Sequence, residues 1–186
     1  NINLNKKILD KIIEPTLKGL KDFNSTFKGF LYAGLMVVKG EPYLIEYNVR
    51  MGDPECQTIL PRLKTDFAEI VLACVNKNLN TINLNWHEYK SLCIVLCSKG
   101  YPDIYKKNID IKNLNEIILK EDEFIFHAGT KKFDNKIFSN GGRVLNFVVK
   151  SNEFKICRKK AIQLINQVNW DKGFYRKDIG YKVIDK

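Results

Sequence analysis

The stretch Ile45-Glu46-Tyr47-Asn48-Val49-Arg50 decides the reading of this chain, and Met51-Gly52-Asp53-Pro54-Glu55 extends it. Strand side chains alternate between faces. With 43–50 (YLIEYNVR) read as a strand, Glu46, Asn48 and Arg50 share one face, and Ile45, Tyr47 and Val49 share the other. Carboxylate and amide oxygens are hard ligands of the kind Mg2+ takes, and Mg2+ completes its shell from water and phosphates. A guanidinium one step along grips phosphate oxygens through paired hydrogen bonds. The row points to a metal and phosphate clamp. A solvated amphipathic strand with a surface ion pair is the plainer alternative, and alternation alone leaves both open.

Working outward, 28–38 (KGFLYAGLMVV) reads as a second strand, joined to the first by the turn residues Lys39-Gly40-Glu41-Pro42 in a hairpin. Ile8, Ile12 and Leu20 suggest a helix over 6–20, interrupted near Pro15. On the other side, Asp53 suits an N-cap, Pro54 the first helical position and Glu55 the positive helix end. Apolar residues continue through Ile70, Leu72 and Val75. The Asn-rich 76–90 stretch marks a boundary, dividing the chain into 1–80 and 81–186. Beyond it, strands are expected at 91–97, near 124–127 and at 143–149. Phe154, Cys157, Ala161, Leu164, Ile165 and Val168 form one apolar stripe of an amphipathic helix over 151–168. A last strand is expected at 181–184. The fold class is α+β, dominated by antiparallel hairpins.

The 186 residues include 31 Lys plus Arg against 21 Asp plus Glu, a net charge of +10, and 45% are hydrophobic. That apolar content excludes a disordered tail. The longest apolar run, Phe30 to Val38, is far short of the ~20 residues a membrane helix needs. The charge favours anionic partners without choosing between nucleic acid and small phosphates. Eight Tyr and eleven Phe support a basic single-strand-binding module as a second hypothesis. No recognised binding motif accompanies the charge and the aromatics sit mostly in apolar runs, so nucleic acid is disfavoured. Five cysteines without a C-x-x-C pair read as reduced thiols of a cytoplasmic protein. No nucleophilic triad, Cys-His pair or P-loop appears. The opening Asn1-Ile2-Asn3-Leu4 lacks an initiator Met, the expectation for a piece of something longer.

The full string I-E-Y-N-V-R-M-G-D-P-E-C-Q-T-I-L-P-R-L closely resembles the end of the ATP-grasp core in the phosphoribosylamine–glycine ligase (glycinamide ribonucleotide synthetase) family. K-G-F-L-Y-A-G-L-M resembles the preceding strand. S-K-G-Y-P (98–102), H-A-G-T (127–130), N-G-G-R-V-L (140–145) and Y-R-K-D-I-G-Y (175–181) follow in the family's order. A bare E-x-N-x-R is shared with other ATP-grasp enzymes; the extension and the four downstream motifs are specific. The resemblance covers nearly the whole chain but only the C-terminal part of the family's enzymes. It therefore implies the C-terminal part of an ATP-grasp lobe, a hairpin plus helices, followed by a smaller antiparallel β domain with a packed helix. The N-terminal and remaining ATP-grasp parts are expected in cis or on another chain, and this chain alone is expected to be incomplete as an enzyme.

The resemblance implies ATP-dependent ligation of glycine to 5-phosphoribosylamine, in purine biosynthesis. It gives glycinamide ribonucleotide, ADP and phosphate through an acyl phosphate. Glu46 and Asn48 would hold Mg2+ or Mn2+ against ATP, and Arg50 would neutralise the moving phosphoryl group. Ile45 would line the adenine pocket, or simply pack in the core. The preceding strand carries no acid, so a thinner metal site with more water is expected. Asp53 either caps a helix or places a substrate ammonium group such as glycine's. Lys99 is a solvated lysine or a phosphate contact. The Asn140-Gly141-Gly142-Arg143 turn is a surface hairpin or an anion cradle, with Gly142 and Arg143 its candidates. Thr130 and Lys131 sit in a similar loop, and together these loops would cradle the substrate's 5-phosphate. His127 reads as structural and His87 as a surface residue. An ATP-grasp ligase joining a different acid and amine is the nearer alternative.

Overall fold

The computed structural model describes residues 2–184. In chain order the elements are α1 (Ile2–Ile8), a π-helical stretch (Leu9–Ile13), α2 (Glu14–Asp22), β1 (Tyr32–Val38), β2 (Glu41–Asn48), α3 (Glu55–Ile59), α4 (Phe67–Val75) and β3 (Lys90–Ser98). They continue with β4 (Ile109–Asp110), β5 (Glu123–His127), β6 (Thr130–Phe133), β7 (Lys136–Ser139), β8 (Arg143–Ser151), α5 (Phe154–Ile165), β9 (Gly173–Phe174) and α6 (Tyr181–Ile184). All strand pairs are antiparallel. The α+β class expected from the sequence is therefore the one observed.

Two compact units emerge. The first comprises the residues through Gly52 and Thr65–Leu84; the second comprises Asp53–Lys64 and the residues from Asn85 on. Packing assigns Asp53–Lys64 to the second unit, where a single cut after residue 80 leaves it in the first. The reason is local: α3 packs on β3.

The first unit is a hairpin backed by helix. The helical segment runs from Ile2 to Asp22, and its irregular π-helical turn falls just before Pro15, which occupies the first turn of α2. A proline lacks the N–H of a regular ladder, and the turn before it absorbs the mismatch. Glu41, at the start of β2, pairs with Lys7 and, at 2.7 Å, with Lys11. Tyr47 Oη lies 2.7 Å from Thr16 Oγ1 and donates to the Ile12 carbonyl at 3.2 Å. α4 is separate from α3, because Asp66 caps it by accepting from the Ala68 and Glu69 amides. Phe67 on α4 stacks on Phe30, with centroids 5.6 Å apart.

The second unit holds the core. Its four-stranded sheet runs β5-β8-β3-β9, beside a three-stranded sheet β4-β7-β6. Leu92, Ile94 and Leu96 of β3 pair with Val149, Phe147 and Leu145 of β8. These residues belong to a buried cluster with Cys157, Ala161, Leu164 and Ile165 of α5. The stripe from Phe154 to Ile165 is thus the face that α5 presents to the sheet; the helix is shorter than the 151–168 expected, and Val168 packs beyond its end. The short strands β4, β6, β7 and β9 were not expected. The strand expected at 181–184 is instead the helical turn α6. Gly180 precedes it with φ +86°, next to Leu92 and Ile184, so the chain turns there into α6.

Candidate functional site

In the first unit, β2 holds Glu46 and Asn48 side by side. The Asn48 amide donates to Glu46 Oε1 at 3.1 Å, as their shared face requires. β2 pairs with β1 through Glu46 opposite Gly34, then Leu44 opposite Leu35, which leaves Ile45 as the extra residue of a bulge. A bulge breaks simple alternation, so Ile45 is not set by the strand period, and it is 65% exposed. A Cβ on Gly34 would sit 3.1 Å from Glu46 Cγ. The missing side chain is what gives the Glu46 carboxylate room. Arg50 lies past the end of β2, and its guanidinium donates to the Met51 carbonyl at 2.8 Å. The strand ends before it, so the expected three-residue row is a two-residue one.

The donor chemistry of Glu46 and Asn48 fits a hard divalent cation, one carboxylate and one amide oxygen with the rest of the shell from water and phosphate. β1 (YAGLMVV) carries no acid. Among the described residues no group of three or more His, Cys, Asp and Glu forms a cage.

In the second unit, Asp53 does not cap α3; Pro54 holds the cap position, without a side-chain bond. The Asp53 carboxylate is engaged elsewhere. Oδ1 accepts from Gln57 Nε2 at 2.9 Å, Oδ2 pairs with Arg143 Nη2 at 3.0 Å, and the Asp53 carbonyl accepts from Arg143 Nη1 at 2.9 Å. Gln57 was missed; its signal was the one-turn spacing from Asp53. Arg143 thus faces Asp53 with two of its nitrogens.

The expected loops do converge. Ser98 donates from its backbone to Gly142 and from its hydroxyl to Gly141, both at 2.7 Å. Asn140 donates to Gly129 at 2.7 Å, and Gly129 donates to Arg143 at 3.0 Å. The S-K-G-Y-P, H-A-G-T and N-G-G-R segments are therefore tied together at one end of β3 and β8. A Cβ on Gly142 would meet Tyr101 Cδ2 at 2.1 Å, so the Tyr101 ring occupies the space a side chain would fill. Thr130 opens β6 and lies 2.9 Å from His127 Nδ1, so both are held in a local contact. Lys99 is exposed and its ammonium has no protein partner among the described residues.

A cavity of about 380 Å3 adjoins these loops, lined by Cys93, Cys97, Tyr101, Arg143, Phe174 and Arg176 among others. Burial pushes the Cys93 thiol up to about 12. Burial also raises Cys97, against the pull of Arg143. Both stay protonated near neutrality, so the cavity offers no thiolate nucleophile.

Comparison with known proteins bears on both units. Residues 2–56 match the family model "Phosphoribosylglycinamide synthetase, ATP-grasp (A) domain", and residues 91–182 match "Phosphoribosylglycinamide synthetase, C domain". The phosphoribosylamine–glycine ligase of Caldanaerobacter subterraneus is 42% identical over 183 residues, 96% of this chain and 43% of that protein. The chloroplastic ligase of Arabidopsis thaliana is 39% identical over 95% of this chain and 34% of its own length. The crystal structure of the Thermotoga maritima phosphoribosylamine–glycine ligase superposes with a TM-score of 0.81 at 33% identity, over 97% of this chain and 44% of that one. The chain therefore spans less than half the length of the relatives it matches. It belongs to the phosphoribosylglycinamide synthetase family, with sequence from both the ATP-grasp and the C domains.

Proposed function

We propose that this chain is part of a phosphoribosylamine–glycine ligase, acting with the N-terminal and remaining ATP-grasp parts, in cis or on another chain. The observation that carries the reading is the Glu46–Asn48 pair on one face of β2, within a chain 42% identical to such a ligase over 96% of its length. In the reaction, a carboxylate oxygen of glycine attacks the γ-phosphorus of ATP and ADP leaves. The amine of 5-phosphoribosylamine then attacks the acyl carbon, loses a proton and expels phosphate, giving glycinamide ribonucleotide. When bound, Mg2+ or Mn2+ neutralises the β- and γ-phosphate charge. Glu46 and Asn48 supply oxygens to that ion. Arg50 releases the Met51 carbonyl and stabilises the transferring phosphoryl group electrostatically. Ile45, exposed at its bulge, offers an apolar surface to the adenine.

In the second unit, Asp53 places the ammonium group of glycine. Lys99, Thr130 and the Gly142-Arg143 turn hold the 5-phosphate. Arg143 serves twice, orienting Asp53 and adding positive charge beside the phosphate. Apart from Asp53–Lys64, which packs within the second unit, residues 1–80 contribute to the ATP-grasp core, and 81–186 form the C-terminal domain. The free state of all five cysteines suits a reducing cytoplasm, and no helix among the described residues is long and apolar enough to cross a membrane.

The test is ADP release, dependent on glycine and phosphoribosylamine, from the complete enzyme, with its remaining parts in cis or on another chain. Glu46→Gln and Asn48→Ala are expected to lower turnover with metal–ATP by about a hundredfold. Arg143→Ala is expected to act mainly on the KM for phosphoribosylamine, by about tenfold. Full activity of Glu46→Gln, or activity with an acid other than glycine at equal efficiency, would overturn the reading.

A further inference from the structure

A second cavity of about 460 Å3 lies in the second unit, apart from the loops described above, and is lined by Thr58, Ile59, Arg62, Trp86 and Ser91. Its polar groups are incompletely used. Ser91 is only 7% exposed and its hydroxyl has no partner; Arg62 Nε is buried without one. Arg62 Nη2 reaches the His87 carbonyl only at 3.5 Å, too long for a good hydrogen bond. Buried polar atoms of native proteins are nearly always paired, so two orphans lining one cavity point to something that pairs them. Thr58 is not free, since its hydroxyl donates to the Pro54 carbonyl at 3.0 Å.

The arrangement is fixed by backbone. His87 N donates to the Arg62 carbonyl at 2.8 Å, Lys64 N donates to Asn85 at 2.9 Å, and Leu63 bridges Trp86. Tyr89 donates to the Pro61 carbonyl. Arg62 and Trp86 are thus held beside one another before any ligand arrives. Both orphaned groups are hydrogen-bond donors, no carboxylate is among the lining residues, and Trp86 and Ile59 are 44% and 40% exposed. Guanidinium and hydroxyl donors suit an oxyanion, and the indole and isoleucine suit an apolar body attached to it.

We propose that this cavity binds a small organic oxyanion, a carboxylate or phosphate monoester, with its charge on Arg62 and Ser91 and its apolar part against Trp86 and Ile59. The inference stands whether or not the ligase reading does. Trp86 and Trp170 give the chain two indole N–H signals, and Trp170 sits in the buried core. The experiment titrates the 15N-labelled protein with benzoate, phenyl phosphate, inorganic phosphate and benzyl alcohol. The expected result is a saturable shift of the Trp86 indole, not the Trp170 indole, with benzoate or phenyl phosphate. The tighter of the two identifies the headgroup. Arg62→Gln is expected to weaken binding by about tenfold or more, and Ser91→Ala by a few-fold. Arg62→Lys, which keeps a charge but loses the planar fork, serves if Arg62→Gln does not fold. No saturable shift with any anion would leave only water in the cavity and overturn the proposal. So would unchanged affinity in the folded Arg62 variants, or equal affinity for inorganic and phenyl phosphate.

Discussion

The two units use apolar strands in opposite ways. In the second, Val144, Leu145, Phe147, Val148 and Val149 of β8 are 0% exposed, covered on one face by α5. In the first, Met36, Ile45 and Val49 are 55%, 65% and 71% exposed, and of the buried apolar side chains described only Ile12 and Ala73 belong to it. A two-stranded sheet is marginal without a second layer. The hairpin has helix contacts through Glu41 and Tyr47 but little core of its own. The difference teaches that a hydrophobic pattern specifies strands without guaranteeing that the same chain buries them. This accords with a chain that spans 43% of one relative and 44% of another.

That contrast can be broken by substitution, from the largest effect to the smallest. Phe147→Ala removes a fully buried ring and is expected to cost about 3–5 kcal/mol. Urea unfolding followed at the core Trp170 measures it, and a loss under 1 kcal/mol would dissolve the distinction. Asp66→Ala deletes the cap of α4 and is expected to cost about 1 kcal/mol, read as faster amide exchange across Phe67–Val75.

The Glu41 contact sharpens the comparison through pH. Hydrogen bonds from Lys11 and Lys7 lower the Glu41 carboxyl from the ordinary 4.5 to about 2. A depressed folded pKa contributes stability above the unfolded value, here about 4.5, and that contribution disappears as pH falls through about 2. Carbon-13 titration of the carboxyl is expected to show the low midpoint, and Lys11→Gln to move it upward. At an exposed site the energetic effect is small. Met36→Ala, on the open hairpin face, is expected to change stability by no more than about 0.5 kcal/mol. A loss several times larger in the same denaturation experiment would mean that this face is covered after all.

Much of the fold was legible because period and burial agreed. β3 and β8 carry near-continuous apolar runs and α5 a stripe, and each lies within a few residues of its expected place. β6 and β7 were hidden, because Thr130, Lys131, Lys132 and Lys136 look like a solvated loop and only Ile137 and Ser139 are buried. Tyr181 and Val183 alternate like a strand, yet the left-handed turn at Gly180 starts a helix. At the site, the Glu46–Asn48 neighbourhood followed from strand geometry, while the Ile45 bulge did not, since nothing in the local composition announces it. Of the two readings of Asp53, the cap does not hold, because its partner Arg143 is remote in sequence. Only the folded chain shows that Arg143 and Gln57 claim its oxygens before the helix can.

The ring of Tyr101 seated over Gly142 has one more consequence. With no vacancy for even a methyl group, and with Ser98 bonded to the same glycine, the two loops form a single joint rather than neighbours. A transplant of either loop from a distant relative would have to carry the other with it, or the end of the sheet would not close.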